Sequence, residues 1–312
     1  MNVENHAIVV HGGAGVLDMG TISARRQLAY RAGIREALLA GYSLLEEGGS
    51  AVDAVEAAVR SLEDNPLFNA GKGAVLAADG THYLDAAIMD GKDLSAGAVA
   101  GVKRVRNPVV LAREVLNRGE AILLGGEAAD EFAEKVGVEL TDNSSFTTVH
   151  RMKQLQRAIA QGKTALDHED LFREKKGTVG AVAIDGEGHV AAATSTGGMT
   201  NKQPGRIGDS PLIGIGTYAA DDTCAISCTG SGEQFIRHHI AGSVSAIIRY
   251  SGKTLYSAAE LAMKQLPAKA GGFIGISPEG EIVMPFNSLG MIRGWIQSGK
   301  EFIAIGRKDG QS

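Results

Sequence analysis

GTVGAVAIDGEGHVAAATSTGGMTNKQPGRIGDSPLIGIGTYAADDTCAISCTGSG, from Gly177 to Gly232, is the stretch around which the rest of the chain is organised. It opens abruptly. The charged run Asp167 to Lys176 has no hydrophobic period, and Gly177-Thr178 then starts a strand pattern through Val179, Ala181, Val182, Ala183 and Ile184. Taken alone, a threonine there is most simply a β-branched residue opening a strand after a glycine. A second reading is chemical. A threonine hydroxyl is a weak nucleophile, but a cut between Gly177 and Thr178 would leave a free α-amine, of ordinary pKa about 7.7 to 8.0, on the same residue to act as its base.

The residues that follow favour the second reading. The turn Asp185-Gly186-Glu187-Gly188 leads into a second strand, His189 to Ala193, closed by Thr194, Ser195 and Thr196, so a hairpin returns hydroxyls beside Thr178. Gly197 and Gly198 then allow close backbone approach. The loop Asn201 to Pro211 holds a single arginine, Arg206, and a single aspartate, Asp209. A guanidinium grips a carboxylate through its fork while a carboxylate accepts from an ammonium, so the pair suits a ligand with both charged groups of an amino acid; the alternative is a surface ion pair. A third strand, Thr223 to Ser227, ends in Cys228-Thr229-Gly230-Ser231-Gly232-Glu233. Glycine-rich backbone and a hydroxyl there aim donors at one spot, as an oxyanion hole needs.

Composition bounds the rest. A chain of 312 residues, 44% hydrophobic and 21% charged, buries a sizeable core as one large or two ordinary domains. A net charge of -5 without a dense basic run gives no electrostatic reason to bind nucleic acid or an anionic membrane, which leaves a small molecule or peptide as substrate. Forty-two glycines exceed the usual share of about 7% and fit tight connections and backbone-lined sites. Cys224 and Cys228 are spaced wrongly for a CxxC redox or zinc site and read as buried small hydrophobes. Asn2 to His6 lacks the basic start of a signal peptide, and no apolar run reaches the roughly 18 residues of a membrane span, so a cytoplasmic location is expected.

Ala7 to Val10 reads as a buried strand ending in His11-Gly12-Gly13-Ala14-Gly15, with no GxGxxG to support a dinucleotide site. Helical spacing covers Ser23 to Glu47 and Ala51 to Leu62. The loop Asp64 to Gly73 carries too few carboxylates for a divalent-cation cage. Strand patterns are expected at Ala74 to Ala77, His82 to Met89 and Ala96 to Val105, and helices at Pro108 to Asn117, Glu127 to Val136 and His150 to Gln161. The segment from Leu140 to Lys176, within which the His150 to Gln161 helix lies, is the least ordered by pattern, and its end from Gly162 reads as a tail. Glu233 to Tyr250 and Leu255 to Leu266 read as paired helices, Gly272 to Ser277 and Glu281 to Phe286 as a hairpin, and Phe302 to Ile305 as an edge strand.

Several blocks, in order, resemble the plant-type L-asparaginases, also called isoaspartyl or β-aspartyl peptidases, of the N-terminal nucleophile hydrolase superfamily. They are HGGAG at His11, NPLFNAGKGAVL at Asn65, LDAAIMDG at Leu84, AGAVAGV at Ala96, TVGAVAID at Thr178, TSTGGMTNKQPGRIGDSP at Thr194, SCTGSGEQFIR at Ser227 and PFNSLGM at Pro285. The likeness covers nearly the whole chain. It implies a single domain with a four-layer αββα sandwich (α/β, or α+β, class), which periodicity alone would not separate from other α/β layers. It also implies self-cleavage between Gly177 and Thr178 into α (1–177) and β (178–312) subunits, and an (αβ)2 assembly. The activity implied is hydrolysis of β-aspartyl dipeptides and of L-asparagine. Carried onto matching positions, Thr178 is the nucleophile, Thr196 its hydrogen-bonding partner, and Thr229 with the Gly230 N–H the oxyanion hole. Arg206 binds the α-carboxylate, Asp209 and the Gly232 carbonyl bind the α-ammonium, Asn69 reaches the nucleophile region, and His11 is structural. No cofactor serves the chemistry. The carbonyls of Leu62, Glu63, Asn65, Phe68, Ala70 and Lys72 would hold a structural sodium ion. A glycosylasparaginase, or a non-catalytic homologue that binds aspartyl ligands, would share the clamp.

Overall fold

The computed structural model describes residues 6–15, 22–161 and 177–306, and the tail expected over 162–176 lies outside them. In chain order, β1 (Ala7–Gly15), α1 (Ala24–Glu46), α2 (Ala51–Asp64), β2 (Leu84–Asp90) and β3 (Ala96–Val102) come first. Next are α3 (Pro108–Arg118), the short β4 (Leu123–Gly125), α4 (Gly126–Val136) and α5 (Val149–Ala160). After Gly177 come β5 (Val179–Ile184), β6 (Val190–Thr196), β7 (Thr217–Ala220), β8 (Cys224–Gly230), α6 (Gly232–His238), α7 (Ile240–Ser251) and α8 (Leu255–Gln265). The chain closes with β9 (Gly271–Ile276), β10 (Ile282–Val283), β11 (Gly290–Gln297) and β12 (Lys300–Gly306). Ser23, Ser50, Thr148 and Thr254 cap α1, α2, α5 and α8 by accepting a first-turn N–H, each such cap contributing about 1 kcal/mol.

An eight-stranded sheet runs β12-β11-β1-β5-β6-β2-β3-β4, and a four-stranded sheet runs β10-β9-β8-β7. One face of the large sheet is covered by α1, α2, α3 and α4 through residues such as Ile34, Leu38, Val55, Val59 and Leu111. The outer face of the small sheet is covered by α6, α7 and α8 through Phe235, Val244 and Leu255. Between the sheets the layer is thin, built of Ala7, Val9, Val182, Ala192, Ala225 and Ile274. This is the four-layer αββα sandwich. Small side chains let the sheets approach: a Cβ on Gly180 would run into the Ser227 hydroxyl on the opposite sheet.

The two sides of the Gly177-Thr178 bond are interleaved. β1 lies between β11 and β5, and β6 pairs with β2, so strands from before and after the bond alternate across the large sheet.

Several expected elements differ. Ala74 to Ala77 is not a strand, because its N–H groups serve local turns: Val75 N donates to Asn69 Oδ1 and Ala77 N to the Thr81 carbonyl. The helix expected over Glu233 to Tyr250 breaks at His239, whose φ of 49° is left-handed and turns α6 into α7. Of the strand over Glu281 to Phe286, only Ile282–Val283 pairs continuously, with an isolated bridge between Gly272 and Phe286. β4, β7 and β11 were not anticipated. β11 pairs with both β1 and β12, and its buried Arg293, stacked 4.8 Å from the Phe286 ring centre, hides the strand pattern. Among the described residues no helix is long and apolar enough to cross a membrane.

One ion pair joins the sheets at their ends. His189, just before β6, lies 2.6 Å through Nδ1 from Asp221 Oδ2, just after β7, and Asp221 Oδ1 accepts from Val190 N. The Asp221 carboxylate raises the His189 pKa above 6.5. A raised histidine pKa stabilises the fold fully below its ordinary value, and that contribution is lost as pH rises through the folded-state value. His189→Gln should therefore lower Tm at pH 5.5 and much less at pH 9 in calorimetric scans. An equal loss at both values would show that the charge contributes nothing.

Candidate active site

β5 and β6 pair with Val179 opposite Ser195, which sets Thr178 level with Thr196 at the open end of the hairpin. Strand alternation then sorts the hydroxyls. Ser195 points to the helix side, where its Oγ donates to Glu63 Oε1 at 2.6 Å; Thr194 points between the sheets, 2.7 Å from Ser227 Oγ. Thr178 is 6% exposed, and its Oγ1 is 3.4 Å from Ser210 Oγ. Ser210 is fixed in turn, since Thr217 Oγ1 donates to its carbonyl at 3.0 Å and stands 2.6 Å from Thr194 Oγ1. A connected set of buried hydroxyls thus braces the start of β5 against both sheets.

Thr196 Oγ1 accepts from Gly198 N at 3.0 Å, and the Gly198 carbonyl accepts from Asn69 Nδ2 at 2.8 Å. The Asn69 amide thus holds the turn beyond β6, next to Thr196. His11, opposite Gly180 in β1, bridges the sheets through Nε2 to Ser227 Oγ at 2.9 Å. Complete burial pushes its pKa down to about 3, which keeps the ring neutral.

Gly177 is wedged between Gly13 and Thr229. Gly13, with φ of 111°, occupies a conformation that favours glycine, and a Cβ there would lie 2.6 Å from Gly177 N. A Cβ on Gly177 itself would lie 2.5 Å from Thr229 Oγ1, which accepts from Ala14 N at 3.1 Å. The Thr229 hydroxyl and the β1 backbone thus close directly on the residue before Thr178. Gly230 follows at the end of β8, pressed against the backbone of Gly271 and the Ala270 carbonyl.

On the other side of Thr178 the loop from β6 to β7 brings Arg206 and Asp209 to Gly232. A Cβ on Gly232 would be 2.8 Å from Asp209 Oδ1 and 3.2 Å from Arg206 Nη2, so only glycine leaves this gap open. Asp209 is 3% exposed and its Oδ2 has no hydrogen-bond partner among the described residues. Burial pushes its pKa up to about 7, Arg206 opposes the rise, and Glu233 and Asp85 add to it. A buried oxygen without a partner is costly, about 1 to 3 kcal/mol.

Three charged residues at the site were not singled out from sequence. Glu233 takes Arg206 Nε at 2.9 Å and Nη2 at 2.8 Å on one oxygen. Lys202 is buried, its Nζ donating to the Tyr83 carbonyl at 2.9 Å, and burial lowers its pKa against the attraction of Asp85. Asp85, also buried, accepts from Gly101 N at 2.8 Å. Lys202 lies in the quoted stretch, yet an isolated lysine is ordinarily a solvated surface residue. Cys224 and Cys228 are free and buried, as read, and burial raises both thiols, Cys224 to about 12.

The loop expected to hold sodium turns its carbonyls inward. A Cβ on Gly73 would meet the Pro66 and Phe68 oxygens at 2.5 and 2.8 Å, and one on Gly71 the Glu63 oxygen at 2.6 Å. The carbonyls of Leu62, Glu63 and Asn65 already accept N–H bonds from Asn65, Lys72 and Phe68, each keeping a second lone pair. Among the described residues no His, Cys, Asp or Glu cluster could hold a metal ion. A neutral carbonyl set fits a singly charged cation better than a divalent one.

Comparison with known proteins agrees with the resemblance. The profile of a family described as asparaginase matches residues 4–304. An isoaspartyl peptidase of Salmonella typhimurium is 49% identical over 298 residues, covering 94% of this chain and 95% of the relative. The isoaspartyl peptidase of Escherichia coli is 48% identical, covering 94% and 93%. An isoaspartyl peptidase/L-asparaginase of Homo sapiens is 41% identical over 309 residues, covering 98% and 97%.

The state of Asp209 has a measurable consequence. A carboxyl raised from 3.8 to about 7 keeps its proton in the folded chain and loses it in the unfolded one, so stability falls across that interval and the penalty persists above it. Asp209→Asn, which removes the ionisation, should raise Tm at pH 8 and leave it nearly unchanged at pH 4. A lower Tm at pH 8 would contradict the burial cost assigned to Asp209.

Proposed function

Because the chain belongs to the asparaginase family, we propose that it is a threonine hydrolase that cleaves β-aspartyl dipeptides and deamidates L-asparagine to L-aspartate and ammonia, after cutting itself between Gly177 and Thr178. The observation that carries the reading is the adjacency of two chemistries. Ser210, whose Oγ is 3.4 Å from Thr178 Oγ1, directly follows Asp209, so the Thr178 hydroxyl lies close to a residue whose buried Oδ2 has no hydrogen-bond partner among the described residues.

In the uncut chain the Thr178 hydroxyl attacks the Gly177 carbonyl carbon, moving the acyl group from nitrogen to Oγ and freeing the α-amine. Water hydrolyses that ester and leaves a carboxylate on Gly177. Thr229, already beside Gly177, stabilises the oxyanion of this step. In the mature enzyme the amine takes the Thr178 hydroxyl proton as Oγ attacks the substrate's side-chain amide, and passes it to the departing amine. Thr229 and the Gly230 N–H hold the oxyanion, and Thr196 orients the nucleophile. Arg206 holds the α-carboxylate, while Asp209 and the Gly232 carbonyl hold the α-ammonium, which draws Asp209 into its ionised form. Water then releases aspartate from the acyl-enzyme.

A sodium ion held by carbonyls of the Asp64 to Gly73 loop and the end of α2, with Leu62, Glu63, Asn65, Phe68, Ala70 and Lys72 as its donors, would be structural, fixing the loop that carries Asn69. A cytoplasmic (αβ)2 assembly completes the reading, which needs neither nucleic acid nor membrane.

The clamp grips only the aspartyl half, so the leaving group should be loosely specified. Steady-state assays should show turnover of β-Asp-Leu and L-asparagine and none of α-Asp-Leu, whose α-carboxylate is consumed in the peptide bond. L-Glutamine should be a poor substrate, since one more methylene moves its carbonyl away from Thr178. Efficient cleavage of α-Asp-Leu would overturn the assignment of Arg206. Thr178→Ala should abolish both self-cleavage and turnover; an active variant would place the nucleophile elsewhere.

A further inference from the structure

Arg206 and Glu233 form an unusual ion pair. A guanidinium and a carboxylate that exist only to hold each other normally meet fork to fork, with two nitrogens on two oxygens. Here Nε and Nη2 converge on Oε1 at 2.9 and 2.8 Å, and Glu233 Oε2 is buried without a partner among the described residues. The contact therefore occupies the inner edge of the guanidinium and leaves the terminal edge, Nη1 with Nη2, to something else.

The surroundings keep that edge clear. A Cβ on Gly208 would lie 3.3 Å from Nη1 and 3.6 Å from Nη2, and one on Gly232 3.2 Å from Nη2. The two glycines flank the terminal edge from the loop side and from α6. Glu233 sits in the first turn of α6, one residue after Gly232, so its backbone is fixed by the element that also carries the Gly232 carbonyl. The Arg206 side chain is 18% exposed and that of Glu233 34%, which shields the pair better than an open surface bridge.

We propose that Glu233 is a positioning residue for substrate recognition: by holding the inner edge of Arg206 it presents the terminal edge, preorganised, to the α-carboxylate of the aspartyl unit. This rests on the reading of Arg206 as the carboxylate clamp. A free arginine side chain must lose its rotamer freedom when the ligand binds, and a held one has already lost it. The effect belongs to binding, before and during acyl transfer alike, so it should appear in KM and leave kcat nearly alone.

The test uses matured protein carrying Glu233→Ala, Glu233→Gln or Arg206→Ala. It reads kcat and KM for β-Asp-Leu and, by calorimetry, the Kd for L-aspartate, which is measurable or bounded even in an inactive variant. Glu233→Ala should raise KM and Kd at least tenfold with kcat within threefold of the parent. Glu233→Gln keeps an acceptor oxygen and the side-chain shape and should fall between, at threefold or more, and it stands in if the alanine variant does not mature. Values within twofold of the parent for the glutamine and alanine variants, or a loss confined to kcat, would overturn the proposal. The clamp reading fails separately: Arg206→Ala with a Kd for L-aspartate within twofold of the parent removes it, whereas a weak Arg206→Ala beside an unaffected Glu233→Ala removes only the role of Glu233.

Discussion

The pairing of β5 with β1 on one side and β6 on the other is the constraint on which the site depends. It holds Thr178 immediately before the first residue of a central strand, with the Gly177 peptide pressed against Gly13 and Thr229. A bond placed there can be cut without unravelling the sheet, since the ladder of β5 begins at Val179 and its partners come from both sides of the cut. The helix-side core is shared in the same way, Val55 and Val59 packing with Val179 and Ala181. Cleavage at this point would change the chemistry of one residue and leave the packing of both fragments intact.

The space between the sheets is unusually polar close to Thr178. His11, Ser227, Thr194 and Thr217 are buried, and each is hydrogen-bonded to another of the set. A network of this kind, in which His11 Nδ1 is left without a hydrogen-bond partner among the described residues, offsets much of its desolvation cost and favours a single arrangement. Further unpartnered oxygens among the described residues lie around the loop from β6 to β7: Asp209 Oδ2 and Glu233 Oε2 flank Arg206, and Asp85 Oδ2 is near Lys202. The hydroxyl network braces the start of β5 beside Thr178, and the carboxylates flanking Arg206 have oxygens that a donor-bearing ligand could satisfy.

Much of this was legible in the chain. The alternation from Val179 to Ile184 and the Asp185 to Gly188 turn mark the hairpin, and its register alone sets Thr196 beside Thr178. Arg206, Asp209 and Gly232 are distant from each other in sequence only through a loop and two short strands, and the structure brings them together. What pattern reading could not reach depends on tertiary partners. β11 carries a buried arginine whose partners include the Phe286 ring and the Met291 and Gly306 carbonyls. Val75 resembles a strand residue until Asn69 takes its N–H. Glu233 looks like a helix-start acid, a common and unremarked position, and its partner is known only once the loop folds back.

The central claim is that Thr178 acquires its base only when the bond before it is broken. The most direct measurement follows freshly purified protein by intact mass spectrometry while β-Asp-Leu hydrolysis is assayed on the same samples. Masses of fragments 1–177 and 178–312 should appear together, and activity should rise in proportion to the cleaved fraction, with none at zero cleavage. A full-length chain that hydrolyses β-Asp-Leu at the mature rate would contradict the account.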